Sequence, residues 1–191
     1  MNIAIFGTSA DPPTIAHQTI LRYLNQNYDL TAVYASDNPF KEHQNSLYHR
    51  TQMLGLAIEE LDLLNNNIVL ATEIGDRRTI HTITKAKQKW GENIDLTFTI
   101  GSDLASQIFS WYQAEKLWQQ VKILIIPRQG YKIDQKTHNQ LTTHSRGYTI
   151  ANFILPPVSS TAYRQNQDEN IVTPKVKDYI QIHNLYGNTA E

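Results

Sequence analysis

Short runs rich in β-branched, aromatic and other apolar residues recur along this chain at 2–6, 30–35, 68–72, 96–100, 123–126 and 148–154. Between them lie stretches suited to helices, at 15–27, 48–61, 80–90 and 112–120, with two more at 160–166 and 174–183 after the last run. Strands that run parallel need long crossovers between them, so this alternation predicts a sheet whose strands are joined by helices. Most of the runs are continuous rather than alternating, as strands covered on both faces require. The expected fold is α/β, a three-layer sandwich with a mostly parallel sheet. In the helix over 48–61, Met53, Leu54, Ala57, Ile58 and Leu61 fall at helical intervals, predicting one stripe against the sheet. Thr173 and Pro174 make an orthodox helix start. The polar stretch 129–146 reads as a loop with some helix.

With 40% hydrophobic residues in 191, the chain has enough apolar surface for one domain with its own core. A C-terminal helical part is expected over about 157–186. Seventeen Lys and Arg stand against 18 Asp and Glu. A formal charge of -1 supplies no field for a long polyanion, so nucleic acid is excluded as a partner and any nucleotide bound is small. The absence of cysteine excludes disulfides, thiol nucleophiles and Cys-based zinc sites, and the seven His contain no HExxH pair, so no protein-held metal is expected. The first apolar run is too short for a signal peptide or a membrane span, which places the chain in the cytoplasm without a membrane partner.

In open α/β sheets ligands lie beyond the carboxyl ends of the strands. The first such loop is Gly7-Thr8-Ser9-Ala10-Asp11-Pro12-Pro13-Thr14-Ile15-Ala16-His17. Its small residues let backbone approach a ligand, the helix start offers unpaired N–H groups to phosphate, and His17 sits one turn in. The plainer reading is a sharp turn capped by Asp11 or Thr14, with His17 on the surface. A second segment, Val158-Ser159-Ser160-Thr161-Ala162-Tyr163-Arg164, puts three hydroxyls at a helix start and an Arg three residues after Thr161, suited to phosphate or to an ordinary cap. Neither segment matches GxGxxG, the GxxxxGK[ST] loop or a nucleophile elbow.

Together the two segments resemble the nucleotidyltransferase superfamily, a Rossmann-like fold marked by [His/Thr]-x-Gly-His and Ile-Ser-Ser-Thr-x-x-Arg. Thr14-Ile15-Ala16-His17 occupies the first signature. Further motifs resemble the nicotinate-nucleotide adenylyltransferase family: Asn38-Pro39-Phe40-Lys41-Glu42-His43, Arg50 with Met53-Leu54, Ile80-His81-Thr82, Gly101-Ser102-Asp103, Trp111-Tyr112 and Pro127-Arg128. The resemblance runs from Ile3 to Leu185.

It implies transfer of AMP from ATP to nicotinate mononucleotide, giving deamido-NAD and pyrophosphate in NAD biosynthesis. His17, Thr14, Lys41 and Arg164 are the implied catalytic residues. Gly7, Thr8, Ser9, Gly101, Ser102, Ser159, Ser160 and Thr161 would bind ATP. Thr82, Asp103, Trp111, Tyr112 and Arg128 would bind the nicotinate nucleotide, with Trp111 offering a flat face to the pyridine ring. Mg2+ would arrive bound to the substrate phosphates. Small-molecule nucleotides are the expected partners, and self-association into a homo-oligomer stays open. Thr8, Ala10 and Ala16 depart from the usual Gly, Phe and Gly of the first signature, and Thr14 replaces its first His, as in pantetheine-phosphate adenylyltransferases. These departures keep three alternatives in view: nicotinamide mononucleotide or phosphopantetheine as acceptor, or a nucleotide-binding sensor without catalysis.

Overall fold

The computed structural model describes residues 1–37, 44–63 and 65–187. One sheet is built from β1 (Asn2–Thr8), β2 (Leu30–Ala35), β3 (Ile68–Leu70), β4 (Asp95–Gly101), β5 (Lys122–Ile126) and β6 (Tyr148–Ile150). The order is β3-β2-β1-β4-β5-β6 and every neighbouring pair is parallel. This is the Rossmann-like α/β arrangement, in which the strand order reverses between β1 and β4 and opens a crevice at their carboxyl ends.

Alternation along the strands divides the core. Ile3 and Ile5 of β1 and Tyr34 of β2 point to one face, covered by α3 (Thr79–Trp90), α4 (Ala114–Trp118) and α5 (Gln135–His144). Ala4 and Phe6 of β1 and Val33 of β2 point to the other, against α1 (Ile15–Asn27) and α2 (Leu47–Glu59). Complete burial of a Leu such as Leu21, Leu24 or Leu54 contributes about 1.5–3 kcal/mol each. A third apolar cluster joins α2 to α6 (Ser160–Asn166) and α7 (Pro174–Ile182) through Met53, Ala57, Tyr163, Val176 and Ile180.

That third cluster corrects the expectation of one sheet-facing stripe on α2. Leu54 and Ile58 do face the sheet, whereas Met53 and Ala57 pack outward on the C-terminal helices. Strands three and six are shorter than the apolar runs suggested. After β3 the chain tightens into a 3-10 turn at Thr72–Ile74 that buries Ile74. After β6 it leaves the sheet edge, and the ring of Phe153 packs on Tyr23 of α1 with centroids 4.7 Å apart. Helix α4 starts only at Ala114 because Gln113, with φ 53, holds a left-handed backbone just before it. The polar stretch contains a full helix, α5, capped by Asp134, whose carboxylate accepts from Thr137 N–H at 2.7 Å.

At the carboxyl end of β1 the Tyr34 phenol lies across Gly7. A Cβ on Gly7 would meet Tyr34 Cζ and Oη at 2.5 Å, and Tyr34 Cδ2 stands 3.0 Å from the matching position on Gly75. Only 3% exposed, the ring has no room to move, and burial pushes its phenol pKa up to about 12. Gly7→Ala should therefore lose about 1–3 kcal/mol through overpacking. Urea titration should give a lower midpoint at an unchanged slope, and a wild-type midpoint would refute this packing.

Candidate active site

Helix α1 begins directly after the first loop, and its start organises His17. Thr14 N–H donates to His17 Nδ1 at 3.0 Å, with Thr14 Oγ1 3.1 Å from the same nitrogen. An Nδ1 that accepts a backbone N–H carries no proton, so the neutral ring holds its proton on Nε2. Nε2 stands 3.0 Å from Thr8 Oγ1. A fixed donor therefore points across the loop from a side chain that is largely buried.

The C-terminal signature is joined to this loop by direct contacts. Ser160 Oγ donates to the Pro12 carbonyl at 2.7 Å, and Arg164 Nη1 donates to the Asp11 carbonyl at 2.6 Å. Of the three hydroxyls, Ser159 caps α6 by accepting from Ala162 N–H at 3.1 Å, and Thr161 Oγ1 accepts from Arg164 Nη2 at 3.3 Å. All three thus have partners within the protein. Between the two segments opens a cavity of about 690 Å³, within the range of small-molecule sites. Thr8, Ser9, Thr14, His17, Ser159, Ser160, Thr161, Arg164 and Arg128 line it, with Tyr131 and Pro157 among their neighbours.

A second group of expected site residues gathers at the end of β4. Arg128 N–H donates to Ser102 Oγ at 2.9 Å, and its guanidinium pairs with Asp103 at 3.4 Å. A side chain on Gly101 would strike both Asp103 and Arg128. Arg128 so connects Gly101, Ser102 and Asp103 to the cavity. Trp111 is half-buried, with its ring edge-on to Phe98 at 6.3 Å and tilted against Trp118 at 5.6 Å. Tyr112 is exposed beside the start of α3, under the Arg78 guanidinium at 4.1 Å and 6.1 Å from the His81 ring. Thr82 does not line the cavity; it is fully buried beside Tyr34. Trp118 is also fully buried, donating Nε1–H to the Ile108 carbonyl at 2.9 Å. Lys41 lies outside the described residues.

Two residues given no site role by the sequence reading hold the first loop in place. Arg50 of α2, 1% exposed, donates from Nη1 to the carbonyls of Ser9 at 2.8 Å and Ser36 at 2.7 Å, and from Nε to that of Asn45 at 3.2 Å. Burial pushes its guanidinium pKa down, and the charges of Asp11 and Asp37 push back. Asp11, also 1% exposed, accepts at Oδ2 from Gln44 N–H at 2.7 Å and at Oδ1 from the Tyr186 hydroxyl at 2.5 Å. The spacing of Arg50 with Met53, Leu54 and Ala57 on one helix face was the available signal for its burial. Nothing local marks Tyr186.

Among the described residues, no group of three or more His, Asp or Glu could hold a metal ion, and no helix is long and apolar enough to cross a membrane.

The cytidylyltransferase-like family matches this chain over residues 5–166. A probable nicotinate-nucleotide adenylyltransferase of Synechocystis sp. is 39% identical, covering 97% of this chain and 99% of the relative. The nicotinate-nucleotide adenylyltransferase of Bacillus subtilis is 26% identical, over 96% of this chain and 97% of its own. Among solved structures, the nicotinic acid mononucleotide adenylyltransferase of Plasmodium falciparum complexed with NaAD superposes with a TM-score of 0.81 at 27% identity, covering 97% of each chain. The same enzyme complexed with APC gives 0.78 at 27% identity, covering 97% of this chain and 96% of the other.

Because Arg50 grips three carbonyls with one planar fork, a lysine cannot replace it. Arg50→Lys should cost about 2–3 kcal/mol of stability, the scale of losing a charge-assisted hydrogen bond in a buried site. Thermal and urea unfolding would measure the loss, and an unchanged midpoint would contradict the network.

Proposed function

The chain belongs to the cytidylyltransferase-like family and, within it, to the nicotinate-nucleotide adenylyltransferases; on that premise we propose that it transfers AMP from ATP to nicotinate mononucleotide, giving deamido-NAD and pyrophosphate. The observation that carries this reading is the union of the two signature segments. Arg164 and Ser160 bond to the carbonyls of Asp11 and Pro12, and His17 faces the same cavity.

The chemistry requires little beyond positioning. An oxygen of the acceptor phosphate attacks the α-phosphorus of ATP, a new P–O bond forms in line, and the bond to pyrophosphate breaks with its electron pair leaving on oxygen. The acceptor oxygen is already anionic, so no side-chain nucleophile or base is needed. In this proposal the Nε2–H of His17 and the guanidinium of Arg164 meet phosphate oxygens as charge shifts toward the leaving group. Thr14 keeps the imidazole in the donor tautomer. Lys41 is assigned a further share of the phosphate charge. Thr8 Oγ1, hydrogen-bonded to His17 Nε2, marks where a phosphate oxygen would sit.

Gly7, Ser9, Gly101, Ser102, Ser159, Ser160 and Thr161 are assigned to ATP, the two glycines indirectly, by leaving room for Tyr34 over Gly7 and for Asp103 and Arg128 over Gly101. The nicotinate nucleotide is assigned to Asp103, Arg128, Trp111 and Tyr112. Trp111 rests partly on Phe98 and Trp118, which orients the rest of its ring for stacking. Thr82 enters through the start of α3, since its hydroxyl is buried. Among the described residues Asp11 is surrounded by its own donors and Asp103 pairs with Arg128 through Oδ2, so in this proposal a cation carried by ATP would be held mainly by phosphate and water.

The deciding experiment offers purified protein ATP and magnesium with nicotinate mononucleotide, nicotinamide mononucleotide or phosphopantetheine, and measures pyrophosphate and the adenylylated product. Turnover should be fastest with nicotinate mononucleotide. ATP binding without pyrophosphate from any acceptor would instead identify a sensor. His17→Ala should lower kcat by ~10²- to 10³-fold, and a folded variant with full turnover would refute the role given to His17.

A further inference from the structure

We propose that Tyr186 is a positioning residue for the transfer reaction, acting through the Asp11 carboxylate on the loop that seats Arg164. The inference rests on the adenylyltransferase reading above. A buried carboxylate must have donors on its oxygens, and the donor on Asp11 Oδ1 at 2.5 Å is the Tyr186 hydroxyl, 175 residues along the chain. Asn45 Nδ2 stands at 3.4 Å from the same oxygen, a much weaker contact. The carbonyl of Asp11 receives Arg164 Nη1. One residue of the loop is therefore held by its side chain from Tyr186 and by its backbone from Arg164, and the first hold sets the peptide that aims the second.

Tyr186 also grips the other signature segment. Its ring stands edge-on to Tyr163 of α6 at 5.5 Å, one residue before Arg164, and Gln167 Nε2 donates to its carbonyl at 2.8 Å. The chain bends sharply to present it. After α7, Asn184 takes φ 48 and Leu185 N–H returns to the Ile180 carbonyl at 3.0 Å, before Tyr186 itself takes φ 59. Such a backbone is rare for a bulky residue and persists only where packing over-determines it. Burial, with Asp11 beside it, pushes the phenol pKa up, so the hydroxyl stays a donor. Packing alone asks only for the ring, which phenylalanine supplies; the bond to Asp11 asks for the hydroxyl.

Tyr186→Phe separates the two demands. In steady-state assays well below the melting temperature, kcat should fall roughly tenfold, with the KM for nicotinate mononucleotide changed less than about twofold. In an Arg164→Lys background the same change should cost less than about twofold in kcat, because both act on one contact. A wild-type kcat for Tyr186→Phe, or an equal loss in both backgrounds, would overturn the proposal. Should Tyr186→Phe fail to fold, Gln167→Gly releases the Tyr186 carbonyl while suiting the left-handed backbone at φ 49. It should lower kcat about two- to threefold, and an unchanged kcat would overturn the proposal equally. Wild-type protein inactive with every acceptor would refute the adenylyltransferase reading and this inference with it; active wild type with an unaffected Tyr186→Phe refutes this inference alone.

Discussion

A carboxylate leaves water only where donors surround it, and the architecture of the cavity follows from how Asp11 meets that demand. Its donors come from Gln44 on the approach to α2 and from Tyr186 beyond α7, while its carbonyl serves Arg164 of α6. Arg50 supplies opposite charge nearby and holds the carbonyl of Ser9. The loop after β1 is thus shaped largely through its backbone oxygens, at Ser9, Asp11 and Pro12, by cations and hydroxyls from other elements. Within that frame Ala10 takes φ 46 and is wholly buried, and Thr8 Oγ1 meets His17 Nε2 at 3.0 Å.

The sheet supplies the setting. Reversal of strand order between β1 and β4 opens the crevice, and the two chemically loaded strand ends, Thr8 and Gly101, belong to these neighbours. Helix α2 then has two duties, packing on the sheet through Leu54 and Ile58 and on α6 and α7 through Met53 and Ala57. The C-terminal helices reach the crevice because α2 offers them an apolar seat. A sheet alone would present His17 to open solvent, and α6 closes that side with Arg164.

Elements buried on both faces were legible in the sequence because burial leaves a continuous apolar run, as in Ile123-Leu124-Ile125-Ile126. Helix α5 was legible only as some helix within a polar stretch, since only Thr137 and Leu141 of its residues are buried. The split face of α2 escaped because periodicity reports which residues are buried and not against what. In the site, His17 and Arg164 were legible as members of short signatures with a chemistry of their own. Arg50 stood in plain view at the spacing of a buried stripe, but a charged residue there reads as an exception until its three carbonyl partners are known. Tyr186 had no local mark, because its meaning lies in a residue at the far end of the chain. For Thr82 the family resemblance implied a hydroxyl offered to a ligand, and the packing of α3 buries that side chain.

The bonds from Arg164 and Tyr186 to Asp11 span 153 and 175 residues. Contacts between such distant stations close the largest loops in the chain, and closure entropy grows with the length enclosed. Strand pairs such as β1 with β2, by contrast, enclose short crossovers and can assemble from their own surroundings. Secondary structure and the finished cavity therefore rest on different contacts: the dichroism of sheet and helices reports the first, whereas the cavity is complete only with α6 and Tyr186 docked on the first loop.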